Sequence, residues 1–236
     1  MSVHLSVVVP AYNEEERIVR TLTTIAAYLE KQDFSSEVIV VDDGSRDRTA
    51  ELAAEALQGR ERGFIIKFPQ NLGKGAAVKE GILRAGGDFI LFSDADLSTP
   101  IEELEKFRPW SGQRFDVVIG SRALPDSDIQ VRQSFVRELM GKTFNLFVRL
   151  FLMKGIPDTQ CGFKLFRKDV ARSIFPLVKT KGFSFDAEVL YLCRCRGYRI
   201  KQVPVIWRNF SPSKVKIFRS SLRMILDLWK IKRLHR

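Results

Sequence analysis

The sequence predicts a mostly parallel α/β sheet with helices on both faces, and three observations carry that expectation. Short runs that are apolar throughout recur between segments of helical spacing, the pattern of strands buried on both sides. The chain has 236 residues, 45% hydrophobic and 28% charged, enough for a full core and outside the range of disordered or collagen-like chains. Several of the apolar runs end in polar clusters, and sheets of this class bind ligands beyond the carboxyl ends of their strands.

Residues 5–9 are the first apolar run, which Pro10 is expected to stop. Residues 15–31 place Ile18, Leu22, Ile25 and Leu29 on one helical face. Residues 38–41 read as a second buried strand, and 47–57 as a helix with Asp47 or Ser45 available as cap. A third strand at 64–68 leads through Asn71-Leu72-Gly73-Lys74-Gly75 into an alanine-rich helix ending at Ala85. Strands follow at 89–92 and 117–119. Two later stretches have the spacing of amphipathic helices. Residues 135–153 carry Phe144, Phe147, Phe151 and Leu152 among Lys142 and Arg149. Residues 217–236 set Leu222, Ile225, Leu226 and Trp229 against Arg219, Arg223, Lys230 and Arg233.

Charge is divided unevenly. Residues 194–236 hold 13 Lys and Arg and one acid, Asp227, while the first 193 residues hold 26 bases and 27 acids. A neutral body with a basic end points to one anionic surface, and an amphipathic basic helix suits a lipid interface. No apolar run reaches the roughly eighteen residues of a spanning helix. The N-terminus shows no signal-peptide pattern, and Cys161, Cys193 and Cys195 lack zinc spacing. The expected setting is cytoplasmic, peripheral to the cytoplasmic face of a membrane.

The first strand runs into Pro10-Ala11-Tyr12-Asn13-Glu14, the second into Asp42-Asp43-Gly44-Ser45, and the fourth into Ser93-Asp94-Ala95-Asp96. One such cluster would read as helix capping; three at one sheet edge read as a site. Asp94 and Asp96, two apart after a buried strand, are hard oxygen donors suited to Mg²⁺ or Mn²⁺ bridged to a diphosphate. The 71–75 loop is not a P-loop, because Lys74 is followed by Gly75 and the upstream glycine is misplaced. No GxGxxG follows the first strand. With only His4 and His235, a histidine triad or histidine metal cluster is not expected.

In order along the chain, Val-Val-Val-Pro10-Ala-Tyr12-Asn-Glu14, Val41-Asp42-Asp43-Gly44-Ser45, Asn71-x-Gly73-Lys74-Gly75 and Asp94-Ala95-Asp96 resemble the signature of family 2 glycosyltransferases of the GT-A fold. Asp158-Thr159-Gln160-Cys161-Gly162-Phe163-Lys164-Leu165-Phe166, with Phe185-Asp186-Ala187-Glu188, is similar to the branch acting on dolichyl phosphate, glucosyltransferases and their mannose-transferring cousins.

The resemblance implies a metal-dependent, inverting hexosyltransferase that uses a nucleotide sugar donor, UDP-glucose in the first place, and a polyprenyl or dolichyl phosphate acceptor. It places Pro10, Tyr12, Glu14, Val41, Asp42 and Asp43 at the nucleotide, and Asp94, Ala95 and Asp96 at the ribose, diphosphate and metal, with Asp96 as main protein ligand. Arg122, Arg208 and Lys214 match phosphate-contacting positions, Asp158 matches a position discussed as base or orienting group, and Ser98 sits near the metal. Arg122, Arg132, Ser134 and Arg137 are the expected contacts of the acceptor phosphate. Asp186 and Glu188 read equally as caps of a helix or as site residues, and Cys161 as packed. One departure stands out: Asn209 and Pro212 lie where the family usually has an acid and a glycine before the final Ser-Lys.

The expected division is a catalytic domain at 1–215, with a donor half at 1–121 and an acceptor half at 122–215, and a basic tail at 216–236. Competing readings are a GDP-mannose-dependent mannosyltransferase, a nucleotidyltransferase, and a nucleic-acid-binding protein motivated by the pI near 9.8. No nucleic-acid motif supports the last, so no nucleic-acid partner is expected, and the sequence leaves the oligomeric state open.

Overall fold

A computed structural model describes residues 3–60, 62–112, 114–131, 135–208 and 217–235. In its central strand, β1 (Leu5–Ala11), Val7 and Val9 face one core and Val8 faces another, and all three are fully buried. A strand dry on both faces has no solvent-facing position, which is why Val7–Val9 does not alternate; the one polar side chain, Ser6, is buried and donates to Glu37 of the neighbouring strand.

The sheet has seven strands in the order β3 (Gly63–Lys67), β2 (Ser36–Asp42), β1, β4 (Phe89–Ser93), β7 (Phe163–Arg167), β5 (Val117–Ser121) and β8 (Ile200–Pro204). All neighbours are parallel except β7, which runs antiparallel between β4 and β5. β6 (Asp128–Val131) and β9 (Ile206–Arg208) form a separate parallel pair. One core holds α1 (Ile18–Leu29), α2 (Thr49–Leu57) and α4 (Leu104–Phe107) against the sheet. The opposite core holds α3 (Lys74–Arg84), α5 (Phe135–Phe151), α6 (Lys168–Ile174), α7 (Phe185–Cys195) and α8 (Ile217–Leu234). The expected α/β class with helices on both faces is what the chain forms.

Three local expectations change. Pro10 does not stop β1, which continues to Ala11 in register with β2. The Ala11 carbonyl faces β2, where it accepts from the Asp43 amide, so Pro10 turns its donorless nitrogen to the β4 side. Pairing with β4 has already ended at Val8, and no ladder bond is lost there. β7 and β8 are strands that the spacing did not announce, because Lys164 interrupts the apolar run of one and polar residues fill the other. Ser45 does not cap α2; its hydroxyl accepts from the Asn13 amide, while Asp47 accepts from the Thr49 amide at 3.0 Å.

The two amphipathic helices turn apolar side chains both ways. Phe144 and Val148 of α5 and Leu228 and Ile231 of α8 join the core. Leu146, Leu150 and Phe151 of α5, and Leu226 and Trp229 of α8, stand exposed. No helix among the described residues is long and apolar enough to cross a membrane.

Candidate active site

The carboxyl ends of β1, β2 and β4 lie side by side, and the chain jumps from one side of β1 to the other between β3 and β4. Such a switch point opens a crevice at the sheet edge. Its floor is laced by short-range polar bonds. Asn13 adopts a left-handed backbone (φ 54°) that lets its amide donate to Ser45 Oγ at 2.9 Å and its Oδ1 accept from the Arg46 amide. The Glu14 amide donates to Thr49 Oγ1 at 2.7 Å. Asp42, fully buried, accepts from the Ser45 amide.

Asp43 is a fastener. Its carboxylate accepts from the amides of Leu72 (2.7 Å) and Gly73 (2.9 Å) and from Asn71 Nδ2 (2.9 Å), tying the 71–75 loop to the end of β2. Burial raises its pKa, and the two amides oppose that rise. The loop then starts α3 with Lys74, whose ammonium reaches across to Asp94 Oδ1 at 2.6 Å. Burial alone would weaken the Lys74 charge, but Asp94, Asp186 and Asp96 outweigh it and raise its pKa. Burial also raises the pKa of Asp94 against the pull of Lys74.

Asp94 and Asp96 sit at the mouth of the crevice just past β4. Asp96 Oδ1 accepts from the Ser98 amide at 2.8 Å, and its second oxygen has no partner among the described residues. The Ser98 carbonyl in turn accepts from the Arg208 amide at 2.7 Å, which brings β9 beside this loop. No group of three or more His, Cys, Asp or Glu residues able to hold a metal occurs among the described residues. A Mg²⁺-type ion held by one or two carboxylates and completed by phosphate oxygens and water needs no such group. The donor set therefore fits a metal that arrives with a diphosphate.

Antiparallel β7 brings the 158–162 segment to the same edge, since its first residue, Phe163, pairs with Ser93 at the end of β4. Gly162 is pressed against the Asp94 carboxylate so closely that a β-carbon would overlap it, and the Asp94 amide donates to the Gly162 carbonyl at 3.0 Å. Asp158 is 2% exposed and meets Arg122, just past β5, in a two-pronged ion pair: Nε to Oδ2 at 2.7 Å and Nη2 to Oδ1 at 2.8 Å. The Arg122 amide adds a third bond at 2.9 Å. Burial disfavours both charges, yet each partner outweighs it for the other. The Asp158 pKa falls to about 2 and that of Arg122 rises. The guanidinium also lies over the Trp207 ring.

The family signal now has a structure to stand on. The profile of a family described as Glycosyl transferase family 2 matches residues 6–175. The chain is 38% identical to a dolichyl-phosphate beta-glucosyltransferase of Dictyostelium discoideum and 39% identical to one of Drosophila melanogaster, in each case over 98% of this chain and 74% of the relative. It belongs to glycosyl transferase family 2. Among solved structures, it is similar in fold to glucosyl-3-phosphoglycerate synthase from Mycobacterium tuberculosis, solved with Mn²⁺, UDP and glucosyl-3-phosphoglycerate. That likeness has a TM-score of 0.69 at 21% identity and covers 96% of this chain and 78% of the other.

For this glycosyltransferase the GT-A expectation holds. The strand-end residues Pro10, Tyr12, Glu14, Val41, Asp42, Asp43, Asp94, Ala95 and Asp96 gather at one edge, with Arg122, Asp158, Ser98 and Arg208 beside them. Arg208 turns its guanidinium toward Gln130 of β6, with Nε to Oε1 at 2.6 Å. Arg132, Ser134, Lys214, Asn209 and Pro212 lie outside the described residues, and of Arg137 only its place in α5 is described. Cys161 is packed, as expected, and burial pushes its thiol up to about 11. Asp186 and Glu188 do not cap α7, where no side-chain cap bond forms. Asp186 instead pairs with the buried ammonium of Lys164, which also donates to the Cys161 carbonyl at 2.6 Å. Sequence reasoning missed Lys74 and Lys164 as charge partners. The signal was present in Lys164, a lysine amid apolar residues of a strand, for which burial demands a partner.

Proposed function

We propose that the chain transfers glucose from UDP-glucose to dolichyl phosphate or another polyprenyl phosphate, with inversion at the anomeric carbon. The observation that carries this reading is the 37–39% identity, along nearly the whole chain, to proteins named dolichyl-phosphate beta-glucosyltransferase from Dictyostelium, Drosophila and human. An α-linked donor gives a β product by a single in-line displacement, so no covalent sugar intermediate on the protein is needed.

The site's electrostatics support an acceptor that is already ionised. A phosphate monoester has a second pKa near 6 and is largely dianionic at neutral pH. A sugar hydroxyl acceptor would need a general base poised near the working pH. Asp158 is ill suited to that task, with both oxygens engaged by Arg122 and a pKa of about 2. Its fitting role is to orient Arg122, whose fixed positive charge faces the anionic reactants.

Negative charge grows on the departing diphosphate as the bond to the sugar breaks. A divalent ion, Mg²⁺ or Mn²⁺, would supply Lewis-acid stabilisation of that charge when bound. Asp96, with an oxygen left open, is the residue to hold it, and Asp94, kept in place by Lys74, lines the same mouth. Tyr12, Glu14 and Asp42, at the ends of β1 and β2, are positioned for the nucleoside. This divides the work between a donor half at 1–121 and an acceptor half at 122–215, with Arg132, Ser134 and Arg137 in the acceptor half and Lys214 at its end.

Leu146, Leu150, Phe151, Leu226 and Trp229, flanked by exposed Arg149, Lys230 and Arg233, support peripheral contact with an anionic leaflet on the cytoplasmic side. The deciding experiment supplies labelled UDP-glucose and GDP-mannose separately with dolichyl phosphate, with and without Mn²⁺ or Mg²⁺. Metal-dependent β-glucosyl phosphate product from UDP-glucose is expected. Transfer only from GDP-mannose would move the chain to mannosyl transfer.

A further inference from the structure

Glu188 lies on α7, two residues past Asp186, the partner of Lys164; it is fully buried and holds three donors. Its Oε1 accepts from the Lys179 amide at 2.9 Å and its Oε2 from the Thr180 amide at 2.7 Å. The third donor comes from the far end of the sequence: His235, just past α8, brings Nε2 to within 2.6 Å of Oε1. A buried carboxylate is costly unless such partners surround it, so the arrangement fixes the 179–181 segment firmly.

That segment presses on the loop before α3. The Lys181 carbonyl accepts from the Gly75 amide at 2.7 Å and the Ala76 amide at 3.3 Å, so it occupies the first turn of α3 in place of a capping side chain. A β-carbon on Gly73 would overlap the Lys181 carbonyl, and one on Gly75 would come within 2.5 Å of the Thr180 carbonyl and 2.7 Å of Phe185 Cβ. The two glycines of the Asn-x-Gly-Lys-Gly loop are thus shaped to this segment. Asp43 holds the other side of the same loop, and Lys74, between the two clamps, carries the ammonium that meets Asp94. α8 is tied in a second time, through Ser184 Oγ and Asp227 Oδ2 at 3.1 Å.

We infer that Glu188 and His235 are positioning residues for the donor site, acting through the 179–181 segment and the 71–75 loop to set Lys74 against Asp94. The end of α8 is on this account part of the support of the donor pocket. The kinetic half of the inference rests on the transferase reading; the structural half does not.

The test compares His235→Ala with His235→Gln in the full chain, since a glutamine amide can still donate to Glu188. Backbone hydrogen exchange over residues 71–77 should quicken in His235→Ala and return toward wild type in His235→Gln. In the same proteins, kcat/KM for UDP-glucose should fall about tenfold in His235→Ala, the ratio one charge-assisted hydrogen bond supports, with KM for dolichyl phosphate unchanged. Glu188→Asp, which keeps the charge but shortens the reach, should raise the donor KM in the same direction. Unchanged exchange at 71–77 in His235→Ala overturns the inference whatever the activity. So does a glutamine variant as impaired as the alanine one, or a loss confined to the acceptor KM. If the wild type moves no glucose to dolichyl phosphate, the transferase reading fails and the exchange result still decides this one.

Discussion

At the ends of β2 and β4 the carboxylates of Asp42, Asp43, Asp94 and Asp96 engage a backbone amide or a lysine, whereas along α5 and α8 Leu150 and Trp229 stand 67% and 62% exposed. In the first region many short bonds fix the dipoles, the arrangement that the proposed binding of a small charged donor requires. The second leaves large apolar surface unpaired, a feature with a stability cost in water and a use at an interface. The strand ends are laced by short polar bonds, and the two helices present apolar side chains to solvent.

The comparison is broken most severely by Asp96→Asn. Replacing the Asp96 carboxylate by an amide removes charge from the proposed metal position without touching the core, so turnover should drop by about 100-fold or more while circular dichroism and melting stay near wild type. Near-normal turnover in the purified variant would remove Asp96 from the metal position.

The buried pair of Arg122 and Asp158 gives the next largest effect, read as stability against pH. The Asp158 pKa of about 2 lies below the ordinary carboxylate value near 3.9, so its contribution is fully present above pH 4 and is lost as pH falls toward 2. The loss should be about 2–3 kcal/mol in urea titrations of the wild type. Asp158→Asn should be less stable at pH 7 and should lack that part of the acid slope. An identical slope in both proteins would mean that the pair does not hold in solution.

Gly162→Ala tests how tightly the donor edge is packed. The added carbon meets the Asp94 carboxylate, and pushing it aside should lower kcat/KM about tenfold with a stability change of about 1–2 kcal/mol. Unaltered kinetics would show that the edge can yield.

The smallest effect sharpens the other side of the contrast. Leu150→Glu with Trp229→Ser alters only exposed side chains, so flotation with anionic vesicles should weaken several-fold at low salt. Turnover of a short-chain, water-soluble acceptor phosphate should not change. Equal flotation by variant and wild type would take these faces out of the membrane contact.

Much of this was legible in the residues themselves. The runs of β1, β2 and β4 are apolar over consecutive residues (Val7–Val9, Val38–Val41, Phe89–Phe92) because helices cover both faces, and that condition shows in one dimension. The polar clusters after those strands, Asp94 and Asp96 among them, are local in sequence and were readable as a site. What the sequence alone did not disclose is pairing between distant segments. Asp158 meets Arg122, and Gly162 meets Asp94, only because β7 inserts antiparallel between β4 and β5 and so starts at the edge where its neighbours end. Lys74 shows itself as a charge partner only once Asp94 is beside it, and although Lys164 reads as a buried lysine in its strand, that its partner is Asp186 appears only in the fold. The exposed Leu226 and Trp229 lie on the face the spacing singled out, but the inward turn of Leu228 and Ile231 on the same helix was hidden, since spacing marks which residues share a helical face but not which face the core takes. Strand direction and helix rotation are settled by long-range packing, and no window of residues contains that information.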